Sequence, residues 1–164
     1  MINSLIEVGR KEFLDNVKVR FNNILDGLDS FPNLTLDFNL LGYDEDRIIE
    51  FIDKIFDYND GEVYIDFYIN RLTENDKANI LELADEGDKD ILIELVNLKA
   101  SSDYFKLLSK DLIPVFTRLN TREIFFVTFY FTKKSITIWG NYDLKFPCFF
   151  DTENTKKLYE NYLL

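Results

Sequence analysis

The sequence predicts an α+β fold: a mostly antiparallel sheet of four to five strands packed against several helices, as a single layer or a two-layer sandwich. Two observations place the strands and helices. Apolar residues alternate with polar ones over 33–40 and 62–70, and elsewhere they recur every three or four residues. A third observation sets the class. The segments run helix, strand, helix, strand, several helices, hairpin, helix, an order that suits helices laid on an antiparallel sheet. The length of 164 residues fits one domain, since domains commonly hold roughly 100–200. A hydrophobic fraction of 46%, with 16 Phe and 9 Tyr, supplies an aromatic core and rules out bulk disorder.

The first predicted element is a long amphipathic helix. Ser4 and Glu7 stand at capping-box spacing, and Ile6, Phe13, Leu14, Val17, Phe21, Ile24, Leu25 and Leu28 follow at helical steps, with Pro32 beyond the end. In the strand at 33–40, Leu34, Leu36, Phe38 and Leu40 face one way, and Thr35, Asp37 and Asn39 the other. A helix follows from Asp44 as N-cap, with Ile48, Ile49, Ile52, Ile55 and Phe56 on its inner side. Glu45 and Asp46 suit the positive end of its dipole. Asn59-Asp60-Gly61 makes a turn. The strand at 62–70 sets Val63, Ile65, Phe67 and Ile69 against Tyr64, Asp66 and Tyr68.

Residues 73–86 and 88–100 read as helices broken near Gly87, and a further helix runs from Asp103 toward Leu119 with Pro114 as a kink or restart. The run 124–131 is apolar on both faces, as in a central strand. A turn at 132–134 joins it to a hairpin partner at 135–139. A short strand at 146–150 and a helix over 152–163 complete the chain.

Charge is distributed unevenly. Residues 26–94 hold 20 acids against 5 cations, a local net of −15, whereas 1–25 carry +1 and 95–164 carry +3, giving −11 overall. Naked nucleic acid is excluded as a ligand, because phosphate binding needs clustered Lys and Arg. A basic protein partner is the natural complement.

Two surfaces follow as candidate partner sites. One is the outward side of the two alternating strands, where Asp37 would sit with Tyr64, Asp66 and Tyr68 if the strands pair; Tyr is enriched at interface hot spots. The other is an acidic rim of Asp44, Glu45, Asp46, Asp57, Asp60, Glu62, Asp85, Glu86, Asp88 and Asp90.

The chain has no histidine and one cysteine, Cys148. That removes the commonest general base and the usual catalytic triads, together with zinc sites of the Cys/His type. No phosphate-binding glycine loop is present. The stretch from Asp57 to Glu62 fails as a calcium loop, because its glycine falls one place early and Tyr68 stands where a bidentate Glu is needed. The stretch from Asp85 to Asp90 fails too, with Lys89 at a ligand position. No cofactor or metal is implied, and a non-catalytic role is expected. No signal peptide or spanning segment is visible, and a lone cysteine fits a reducing compartment, so the cytoplasm is expected.

Near the end, Trp139-Gly140-Asn141-Tyr142-Asp143 is followed by Phe146-Pro147-Cys148-Phe149-Phe150. This hairpin followed by an aromatic loop resembles the small bacterial immunity proteins that neutralise contact-dependent and other polymorphic toxins. The resemblance spans the last third of the chain, extends to size and acidity, and carries over no functional residue. It implies a toxin domain as partner and inhibition by covering a basic surface. A nucleic-acid-mimicking phage inhibitor and a carboxylate or Mg²⁺-dependent enzyme are the alternatives.

Overall fold

In the computed structural model, which describes residues 2–163, one open sheet of seven strands runs through the molecule. Across the sheet the order is β1 (Leu5–Val8), β4 (Tyr104–Leu107), β3 (Val63–Asp66), β5 (Thr128–Phe131), β6 (Ile136–Ile138), β7 (Lys145–Phe150) and β2 (Asn33–Asp37). Every adjacent pair is antiparallel. The helices are α1 (Arg10–Asn16), α2 (Ile24–Ser30), α3 (Glu45–Tyr58), α4 (Glu74–Leu83), α5 (Lys89–Val96), α6 (Ile113–Thr121) and α7 (Glu153–Leu163). The α+β class is as the sequence predicts. The sheet is wider, with seven strands where four to five are expected.

The two unforeseen strands, β1 and β4, come from segments whose apolar spacing imitates a helix. The long N-terminal helix does not form. Ser4 donates its hydroxyl to Asp111 at 3.1 Å, and Glu7 accepts from the backbone of Ser101 and Ser102 and from the Ser101 hydroxyl. Those distant partners draw 5–8 into an edge strand on β4. After α1 the chain extends, burying Val17 and Val19 alternately while Thr137 donates to the Val19 carbonyl. The predicted helix from Asp103 is also replaced. Tyr104–Leu107 pairs with β3, and the helix starts only at Ile113, where Pro114 sits in the first turn and its missing N–H costs nothing.

Both faces of the sheet are covered. On one, Val63 and Ile65 of β3 pack with Phe105, Phe129, Phe131 and Phe146 beneath α3 and α6. On the other, Tyr64, Tyr104 and Tyr130 surround Phe13 of α1, which stacks on Tyr104 at 4.0 Å and meets Tyr64 and Tyr130 edge-on. Burying a side chain of this size stabilises by about 1.5–3 kcal/mol, so α1 is held by Phe13 alone among its own residues.

The turn after α3 is the predicted one, with Asp60 at φ 52° and Gly61 at φ 75°. The fully buried Asn59 ties it down, donating to the Tyr159 hydroxyl at 2.7 Å and accepting from the Lys134 amide at 2.7 Å. Among the described residues, no helix is long and apolar enough to cross a membrane.

Candidate functional site

The two alternating strands do not share a surface. β3 lies in the middle of the sheet and β2 at its far edge, with β5, β6 and β7 between them. Tyr64 is buried under α1, Asp66 is buried, and Tyr68 is half-buried. Asp37 accepts from the Leu40 amide at 3.0 Å and so fixes the turn after β2. An outward patch combining Asp37 with Tyr64, Asp66 and Tyr68 is therefore absent, because sequential strands here are not spatial neighbours.

Much of the acidic rim is paired, and its partners come from the slightly basic C-terminal stretch. Asp88 receives two bonds from the Arg118 guanidinium, at 2.5 and 2.6 Å. Arg122 joins Glu45 at 2.6 and 2.9 Å and Asp85 at 3.1 Å. Lys110 meets Asp57 at 2.6 Å, Lys106 meets Glu62 at 2.8 Å, and Lys133 pairs with Asp60. Glu86 is held by Lys89 within its own turn, and Asp44 caps α3 through the Arg47 amide. Among the described residues, six of the 20 acids of 26–94 thus meet cations from 95–164.

These pairs have electrostatic consequences. The Arg122 guanidinium holds the Glu45 carboxyl below its ordinary range against the opposing effect of burial. The Gly87 amide, then Arg122, does the same for Asp85. The cations also occupy both calcium-like stretches. Among the described residues, no group of three or more acidic, histidine or cysteine side chains is arranged to hold a metal ion.

One acidic surface stays open. Asp46, Glu50, Asp53 and Asp57 follow at steps of four, three and four on α3, opposite its buried Ile48, Phe51, Ile52 and Ile55. The stripe runs about 16 Å along the helix at 1.5 Å per residue. Only Asp57 has an ion-pair partner among the described residues. One oxygen of Asp53 is buried and bonded to nothing. Burial raises the Asp53 carboxyl, Lys110 opposes that, and the Asp57 and Glu50 charges raise it further. Like charges at such spacing cost a helix about 0.2–0.5 kcal/mol per pair. Of the predicted residues, Asp46 and Asp57 belong to this stripe. Glu50 and Asp53 join them, at a spacing the sequence shows. Asp90 stands elsewhere, exposed on α5.

Burial of Asp66 leads to a second feature, on the other face of the sheet. Its carboxylate accepts from the Thr128 amide and the Tyr130 hydroxyl, each at 2.9 Å, and from the Tyr68 hydroxyl at 3.2 Å, with no ion-pair partner among the described residues. Burial pushes its carboxyl up, and the three hydrogen bonds oppose the shift. Tyr68 and Tyr130 are pushed above the ordinary tyrosine range by burial, and then by Asp66, so both keep their protons at neutral pH. The two rings form part of a cavity of about 610 Å³ between the sheet and α1 and α2. Arg10, Arg20 and Arg71 also line it. Sequence reading passed over these arginines, because they lie far apart in the chain and outside any motif.

The loop at 139–143 is used for packing. Trp139 stacks on Phe21 at 5.3 Å, and Gly140 lies against the buried Asn120. The Asp143 amide donates to Glu123 at 2.8 Å. Comparison of the chain with protein-family models, with curated proteins and with solved structures finds no match.

Proposed function

We propose that this chain is a non-catalytic binding protein of the immunity or antitoxin kind. It neutralises a basic partner, a toxin domain, by laying the outer stripe of α3 over that partner's basic surface. The cytoplasm is the compartment in which it does so. The observation that carries this reading is the stripe itself: Asp46, Glu50, Asp53 and Asp57 in line on one helix, tolerated despite their mutual repulsion. Asp46, Glu50 and Asp53 have no ion-pair partner among the described residues, whereas Glu45, Asp57, Asp60, Glu62, Asp85 and Asp88 do, so this row is a place where a cation from outside would be accommodated. Complementary charge of this kind speeds association more than it deepens affinity.

A second reading rests on the same row. Four carboxylates along about 16 Å of helix also resemble a short run of backbone phosphates, as in a nucleic-acid mimic. One experiment addresses both. The tagged chain and an Asp46→Asn/Glu50→Gln/Asp53→Asn variant are used to capture proteins from source cells and the products of adjacent genes. The proposal expects a basic protein held in equimolar amount by the parent and lost by the variant. Displacement of that protein by duplex DNA would favour mimicry. Equal capture by both forms, or no basic protein captured, would overturn the assignment to α3.

A further inference from the structure

We propose that the cavity on the second face of the sheet is a binding site for a nucleoside phosphate. This is independent of the partner reading for α3. Its volume of about 610 Å³ lies within the roughly 300–1,000 Å³ typical of small-ligand sites. Charge, aromatic surface and the direction of two hydroxyl protons together define what fits.

The charge of the cavity is opposite to that of the protein. Arg10, Arg20 and Arg71 line it against one acidic residue, Asp26, in a chain of net −11. Arg71 is shared with Asp103 at 3.1 Å and lies over the Tyr68 ring. Arg20 donates to the Val17 carbonyl. Among the described residues, neither Arg10 nor Arg20 has a carboxylate within ion-pair distance. Guanidinium forks match phosphate oxygens in pairs. Arg10 and Arg20, free of carboxylates among the described residues, together with Arg71 suit a ligand with several negative charges.

The walls supply flat apolar surface. Tyr104 is half-buried beside Phe13, and Phe21 and Phe31 stand half-buried at the other end. Such rings take a planar heterocycle by stacking. The hydroxyls of Tyr68 and Tyr130 narrow the choice. Each has one proton, and each gives it to Asp66. Tyr130 also accepts from the Thr128 side chain, so the free lone pair is that of Tyr68, and both hydroxyls are backed by a buried carboxylate that repels anions. The part of the ligand meeting them must carry N–H donors, as the amino or ring N–H group of a base does. Phosphate at the guanidiniums and base at the tyrosines satisfy all three conditions, which a bare polyphosphate or an uncharged nucleoside cannot.

Trp139 is the chain's only tryptophan and stacks on Phe21, so its fluorescence reports on the cavity. The full chain is titrated at low salt with ATP, GTP, adenosine and tripolyphosphate, by fluorescence and by calorimetry. A saturable response to ATP or GTP is expected, with adenosine and tripolyphosphate each at least about tenfold weaker. Arg10→Gln, at an exposed position on α1, weakens nucleotide binding about tenfold. Lys11→Gln, which removes the same charge one residue away, leaves it unchanged. Tyr68→Phe reduces the preference for nucleotide over tripolyphosphate. No saturable response to ATP or GTP by either method would overturn the proposal. So would tripolyphosphate binding as tightly as ATP, or equal binding by the parent and Arg10→Gln.

Discussion

Replacing Arg118 with Met tests whether the acidic stretch is held in place by cations from the C-terminal stretch. Asp88 has a side chain only 7% exposed and takes two bonds from Arg118, whose own side chain is 23% exposed. Removing the arginine strands a carboxylate that water reaches only at its edge. Breaking a buried pair from one side costs about 3–5 kcal/mol, and partial access along the Arg118 side places this case near about 3 kcal/mol. Removing the acid instead, in Asp88→Ala, leaves a guanidinium that can turn to solvent, and costs about 1 kcal/mol. With a urea slope of roughly 2 kcal/mol per molar, Arg118→Met lowers the unfolding midpoint by about 1.5 M. The double variant is no less stable than Arg118→Met alone. Urea unfolding followed by Trp139 fluorescence measures all three. A loss below about 1 kcal/mol for Arg118→Met, the size of an exposed pair, would refute the reasoning. So would a larger loss for Asp88→Ala than for Arg118→Met.

Three further outcomes are expected. Gly140→Ala places a Cβ 2.5 Å from the Asn120 side chain, which is buried and bonded to both the N–H and C=O of Val127, so unfolding measurements should show a loss of about 1–3 kcal/mol. Cys148 is fully buried, and burial pushes its thiol well above the ordinary range, so it should resist a thiol reagent in the native protein and react on unfolding. Asp66 has a folded-state carboxyl raised above its unfolded value of 3.8, so the folded state binds the proton more tightly, and stability falls as pH rises from the unfolded value through the folded one. Comparing the parent with Asp66→Asn over that window should therefore show the variant gaining relative stability as pH rises; a constant difference would contradict the shift.

How much could be read from the sequence depended on how far each interaction reached along it. The α3 helix and β2 were legible because their apolar periods hold over whole elements, and the hairpin of β5 and β6 because an apolar run, a short turn and an alternating segment follow one another. The N-terminus was not. Phe13 and Val17 do lie four apart and are both buried, as a helix would have them, but Leu14, Leu25 and Leu28 are exposed and Ser101 and Ser102 decide the conformation of 5–8. Charge misled for the same reason. The excess of acid over 26–94 is plain in the sequence, but Glu45 finds Arg122 and Asp57 finds Lys110 only through the fold. The part of that excess on α3 was half visible: the spacing from Asp46 through Glu50 and Asp53 to Asp57 is in the sequence, but which of these carboxylates lack a cation is set by the fold. The cavity was out of reach, since Arg10, Arg20 and Arg71 come together only through α1, the extended stretch after it and the helical turn at Ile69–Arg71 that follows β3.

The central claim is that the open carboxylate row of α3 recruits a basic partner. Its most direct test is the association rate with the captured partner, measured against ionic strength for the parent and for Asp46→Asn/Glu50→Gln/Asp53→Asn. The account predicts a rate for the parent that falls steeply as salt rises, and a slower, nearly salt-independent rate for the variant. The same salt dependence in both proteins would contradict it.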